Sequence, residues 1–102
     1  MTCDLLLWLG ITPNYRGFHL ILDALEILQA HPGAPLLLTK EVYPRIAKQR
    51  RMSSQAVERD IRTAISRAWS REPAAFAALF SPYAKKKPTA SQLLALLVEI
   101  TR

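Results

Sequence analysis

Ser53-Ser54-Gln55-Ala56-Val57-Glu58-Arg59-Asp60-Ile61-Arg62-Thr63-Ala64-Ile65-Ser66-Arg67-Ala68-Trp69-Ser70-Arg71 divides into two faces when it is wound at ~100° per residue. Val57, Ile61, Ala64, Ile65 and Ala68 fall on one side; Gln55, Glu58, Arg59, Arg62 and Ser66 fall on the other. A core-facing helix over 54–71 is expected, capped by Ser53 or Ser54. Upstream, Thr39 is placed to cap a helix running to about Arg50, with Glu41 in its first turn. Pro44 is tolerable only near that start, so the opening turn is expected to be irregular. Arg51-Met52-Ser53 is then a short polar link. Two helices across such a link, at about 39–71, have a helix-turn-helix layout.

The flanking sequence extends the same reading. Thr2 or Asp4 opens a short helix that stops at Gly10, and Thr12-Pro13-Asn14 is a turn. A long helix follows from about Tyr15 to Ala30, with Phe18, Leu22, Leu25 and Leu28–Gln29 at helical spacing. His31-Pro32-Gly33-Ala34-Pro35 breaks it, and His31 suits a helix C-terminus. Pro73 fits the opening turn of a short helix over Ala74–Phe80. Ser81 to Pro88 is a basic loop containing Lys85, Lys86 and Lys87. Thr89-Ala90-Ser91-Gln92 is a capping box for a last helix, with Leu93, Leu94, Leu97, Val98 and Ile100 on its apolar side. Leu36-Leu37-Leu38 is the one candidate strand and is too short for a sheet. An all-α chain of about six helices is expected, a single domain over 1–102.

Composition narrows the function classes. The chain has 102 residues, half of them hydrophobic, and one cysteine, Cys3. It has enough apolar surface for a core and cannot form an internal disulfide. Cys3, His19 and His31 show no paired ligand spacing, so no metal or other cofactor is expected. Leu5–Leu9 is far shorter than the ~20 residues that cross a bilayer, and the N-terminus does not read as a signal peptide. No membrane association and a reduced, cytoplasmic setting are expected. Catalysis is not expected either: Cys3 is terminal, His19 falls on a helix surface, and no glycine-rich phosphate loop is present.

Charge is unevenly placed. Net charge is +6, yet residues 1–39 carry only Arg16 against Asp4, Asp23 and Glu26. Residues 40–71 carry nine basic side chains against Glu41, Glu58 and Asp60. So focused an excess suits a polyanionic partner. On helix 54–71, arginine can fork onto guanine, glutamine can pair with adenine, and glutamate can accept from cytosine in a major groove. Gln55, Glu58, Arg59 and Arg62 are the base-contact candidates. Lys40, Arg45, Lys48, Arg51, Ser54, Thr63, Ser66, Lys85, Lys86 and Lys87 are the backbone candidates. Two alternatives stay open on the pattern alone. Glu58 and Arg62 also have the spacing of an ordinary surface ion pair. The basic face would equally serve a non-catalytic protein- or RNA-interaction module. The segment Ala74–Phe80 and the last helix would then either form a dimer surface or close the core over Trp69.

The stretches Leu38-Thr39-Lys40-Glu41-Val42-Tyr43-Pro44-Arg45-Ile46-Ala47-Lys48, Val57-Glu58-Arg59-Asp60-Ile61-Arg62-Thr63-Ala64-Ile65 with Ala68-Trp69-Ser70-Arg71, and Lys87-Pro88-Thr89-Ala90-Ser91 resemble the C-terminal DNA-binding effector domain of the sporulation stage-zero response regulator protein A family. Leu9-Gly10-Ile11 and Tyr15-Arg16-Gly17-Phe18 also fit. The resemblance implies a six-helix transcription-factor domain that binds a short box of double-stranded DNA, commonly as tandem copies, and touches RNA polymerase sigma factor. It implies that Glu58, Arg59 and Arg62 meet bases or adjacent phosphates and that Lys40 meets the backbone. Ala56 stands where familiar members carry a basic residue, and Thr63 where they carry histidine. Docking should survive both departures, but the preferred box should differ. The family's phosphoacceptor receiver domain has no counterpart in these residues.

Overall fold

The computed structural model describes residues 2–31, 37–71, 73–80 and 86–101. Among the described residues six α-helices run in chain order: α1 (Thr2–Trp8), α2 (Arg16–Gln29), α3 (Tyr43–Arg50), α4 (Ser54–Arg71), α5 (Pro73–Phe80) and α6 (Ala90–Ile100). No strand occurs among the described residues. Leu37 and Leu38 do not extend a strand; Leu38 opens a helical turn, and Leu36 lies outside the described residues. The breaker residues Pro32-Gly33-Ala34-Pro35 and the loop segment 81–85 also lie outside them.

Local chemistry accounts for most helix ends. Gly10 has φ 90°, the left-handed conformation that ends α1. Its N–H donates to Leu7 O at 3.0 Å and the Ile11 N–H donates to Leu6 O at 2.9 Å, the paired pattern of a glycine stop. His31 sits just past α2, its Nδ1 2.9 Å from the carbonyl of Ile27. Pro73 is the first residue of α5, one position earlier than expected. The capping box of α6 is complete: the Gln92 N–H donates to Thr89 Oγ1 at 3.1 Å, and the Thr89 N–H donates to Gln92 Oε1 at 3.0 Å.

The segment from Thr39 to Arg50 is not one capped helix. Leu38–Val42 forms a wide π turn, and α3 begins only at Tyr43. Thr39 is exposed within that turn, and no side chain caps either segment. The Val42 N–H reaches back to Leu37 O at 3.2 Å, and the Tyr43 N–H bonds Leu38 O, each spanning five residues. Pro44 has no N–H to give, so it falls early in α3, where none is required.

Helix α2 lies at the centre. Its buried stripe is Gly17, Phe18, Leu20, Ile21, Ala24, Leu25 and Ile27, whereas Leu22 and Leu28 are half-buried and Gln29 is exposed. The stripe is rotated from the expected one because α2 is covered from several sides, by α4, α6, α3 and α1. On α6, Leu93, Leu94, Leu97 and Val98 are buried, but Ile100 is 44% exposed because the core ends before the last turn. Phe76 of α5 is fully buried and meets the half-buried Trp69 edge-on at 5.7 Å between ring centroids. Helix α5 thus closes the core beside Trp69.

The crossing of α2 and α4 is the most extensive contact in the fold. It passes through Gly17. A Cβ placed there would strike the backbone carbonyl of Asp60 and come within 2.6 Å of Ala64 Cβ. Gly17→Ala should therefore destabilise the fold by about 1–3 kcal/mol in urea or thermal unfolding. At an ordinary helix interior position the same change would stabilise by up to about 1 kcal/mol.

Candidate nucleic-acid interface

The sequence of α4 assigns its two faces, and tertiary packing holds them apart. Val57, Ile61, Ala64, Ile65 and Ala68 are the buried residues of the helix, as the wheel predicts. Gln55, Arg59 and Arg62 are exposed, and Glu58 and Ser66 are half-buried. From Gln55 to Arg62 the helix rises by about 10 Å, close to the ~12 Å width of a major groove. The four base-contact candidates therefore form one short row on one helix face.

The approach to α4 is tightly set. Arg51 takes the left-handed conformation, φ 56° and ψ 49°, and turns the chain out of α3. The Met52 N–H donates to Ala47 O at 3.0 Å. Ser53 is the cap of α4: its Oγ accepts from the Ala56 N–H at 3.0 Å. At the end of α3, Arg50 is held by α2. Its Nε and an Nη donate to the two Asp23 carboxylate oxygens at 2.7 and 3.0 Å. That hydrogen bonding raises the Arg50 pKa above its already high ordinary value. Arg50 thus ties the helix pair to the rest of the fold and leaves the basic surface to its neighbours.

The backbone candidates occupy different places. Lys40 is exposed on the π turn, and Arg45 and Lys48 are exposed on α3. Arg51 is exposed at the turn, Ser54 is half-buried at the start of α4, and Thr63 is exposed on α4. Lys86 and Lys87 are exposed, and Lys85 lies outside the described residues. Lys87 crosses to α4 and donates from Nζ to Ser66 Oγ at 2.7 Å. A cleft of about 650 Å³ brings Lys40, Glu58, Arg62 and Lys87 around a floor that includes Tyr43, Ile65 and Pro88. Arg45, Lys48 and Arg51 stand apart from it.

Glu58 and Arg62 do form an ion pair, with Arg62 Nη1 3.7 Å from Glu58 Oε1 and side chains 62% and 47% exposed for Arg62 and Glu58. An exposed helix pair of this kind is worth ~0.3–0.5 kcal/mol. It orients the two groups in the free chain without preventing either from turning to another partner. Arg59 and Arg16 approach Asp60 from two sides, each at 3.6 Å. Tyr43, buried beneath Glu58, titrates above the usual 10.0, chiefly through burial and then through the Glu58 charge.

Residues 2–100 match the family described as "Sporulation initiation factor Spo0A C terminal". The chain belongs to that family. It is a family of DNA-binding regulatory domains for sporulation and transcription rather than of enzymes, and DNA binding is the activity it brings to this all-α fold. Among the described residues no helix is long and apolar enough to cross a membrane.

Several features escaped sequence reasoning. Asp23 claims Arg50 from a distance of 27 positions, and charge counting cannot show such pairing. Arg67 and Arg71, absent from the candidates, line a groove with Arg62, Thr63, Ser66 and Lys87. The available signal was their common side on the same helix. Tyr43 was visible only as part of the family-like run. Because its folded pKa is raised, the Tyr43 phenol favours folding below pH ~10, and that contribution is lost as pH rises through 10 toward the folded value. Glu58→Gln should lower the Tyr43 pKa partway, and Tyr43→Phe should flatten the alkaline fall in stability; phenolate absorbance and unfolding titrations read the two effects.

Proposed function

We propose that this chain is a sequence-specific regulator that lays the outward face of α4 in the major groove of a short DNA box. Gln55, Glu58, Arg59 and Arg62 act at base edges. Arg62 forks onto a guanine, and Glu58, released from Arg62, accepts from cytosine. Lys40, Arg45, Lys48 and Arg51 neutralise phosphates at the α3 side. Ser54, Thr63 and Ser66 meet the backbone along α4, and Lys85, Lys86 and Lys87 add their charge to phosphate binding. Residues 39–71 act as the helix-turn-helix of one unit spanning 1–102. Membership of the family extends the reading to tandem copies on DNA and to contact with RNA polymerase sigma factor.

The observation that carries this reading is the division of α4. Its inner face is buried to the last apolar residue named above, while its outer face offers two guanidinium groups, a carboxylate and an amide within two turns. None of those polar groups is needed to hold the core. The surface that remains matches the chemistry of base edges. Phosphate contacts around it would set register and supply most of the salt-dependent affinity.

Selection from a random duplex pool should enrich one motif at low and moderate salt; failure to enrich any motif would remove the proposal. Arg62→Ala should cost ~1–3 kcal/mol on the best site and relax preference at one position. Arg62→Lys should rescue poorly, since an ammonium keeps the charge but loses the planar fork. Thermal melts of each variant should match the parent, because Arg62 is exposed. Full rescue by lysine with an unaltered motif would reassign Arg62 to phosphate.

A further inference from the structure

Arg62, Arg67, Arg71 and Lys87 line one open groove along the second half of α4, with Ser66 and Ser70 between them. The groove is lined by four cations and no carboxylate among the described residues. Its geometry is fixed at both sides. The Arg67 and Arg71 guanidinium groups lie 5.8 and 5.9 Å from the centroid of one ring, that of the half-buried Tyr15. Across the groove, Lys87 is held by its 2.7 Å bond to Ser66 Oγ. The Ser66 hydroxyl accepts there and keeps its own proton for another acceptor.

This arrangement has an electrostatic cost in the free chain. Arg67 and Arg71 are four apart on a helix, and like charges at that spacing repel. Stacking on Tyr15 holds both near one ring instead of letting them diverge. Among the described residues no ion pair neutralises Arg67, Arg71 or Lys87. An anion with several acceptor oxygens would relieve the repulsion and accept from the Ser66 hydroxyl. The groove is also continuous with the base-contact row, because Arg62 belongs to both. It begins where α4 would rise out of a major groove and meet the phosphates at its edge.

We propose that Arg67 and Arg71, positioned by Tyr15 and joined by Lys87, form a second backbone-binding segment that grips phosphates of duplex DNA outside the base-contacting box. The proposal rests on the DNA-binding reading of α4 above. It assigns these residues affinity and footprint length without sequence preference.

The test uses the full chain, its selected box in a longer duplex, and the double variants R67Q/R71Q and R67K/R71K. The glutamine variant should keep the motif and the melting temperature, since both arginines are exposed. Losing two phosphate contacts should lower the salt slope by about 1.8. Between about 50 and 200 mM salt the parent should then lose about tenfold more affinity than the variant. The lysine variant should keep most of the slope. Replacing phosphates just outside the box by neutral methylphosphonates should weaken the parent and leave the glutamine variant nearly unaffected. A parent that selects a motif, with a glutamine variant of unchanged slope, would overturn the groove's role in gripping DNA. A parent that selects no motif would overturn the DNA-binding reading itself.

Discussion

Backbone-to-backbone closeness at Gly17 is the constraint on which the rest of the structure depends. Only a residue without Cβ lets α2 approach the Asp60 carbonyl and Ala64 this nearly. That approach places Ile61, Ala64, Ile65 and Ala68 against the core formed around Ile21, Ala24 and Leu25. Since an apolar stripe on a helix can face only one way, seating it commits the opposite face to solvent. The row from Gln55 to Arg62 is thus aimed by a contact on the other side of the same helix.

Tethers at the start of α4 refine that aim. Arg50 is clamped bidentately by Asp23, the strongest geometry available to an arginine–carboxylate pair. One residue later Arg51 turns through the left-handed region, and two residues after that Ser53 caps α4. The π turn before α3 accommodates Pro44 and sets Lys40 beside the Glu58–Arg62 pair. Each device is worth little alone, but together they leave the helix pair few alternative orientations.

The surface charges then sort by what holds them. Arg50 is clamped by Asp23, Arg62 is lightly paired with Glu58, and Arg67 and Arg71 rest on an aromatic ring. A weak exposed pair can exchange partners at a cost near 0.5 kcal/mol, so Arg62 can leave Glu58 for another acceptor with little penalty. The clamped arginine cannot do so cheaply, because two short charge-assisted bonds must break together. Similar arginines in one chain therefore have different availabilities to a ligand.

Much of the architecture was legible in the residues themselves. The two faces of α4, the Gly10 stop, the Ser53 cap and the Thr89–Gln92 box all follow from periodicity or from side-chain chemistry within a few positions. The polar row from Gln55 to Arg62 was legible for the same reason, since spacing on a helix decides which side chains share a face. What only the tertiary structure decided involves partners far apart in the chain or competition among packing surfaces. The α2 stripe turned because several helices cover it, Ile100 stayed exposed because the core ended early, and Thr39 lost its cap to a π turn before Pro44. Asp23 reached Arg50, and Tyr15 gathered Arg67 and Arg71, across intervals that no local pattern records. Short-range hydrogen bonding and helical period are properties of the sequence. Which distant charges and rings meet is settled only when apolar burial brings the helices together.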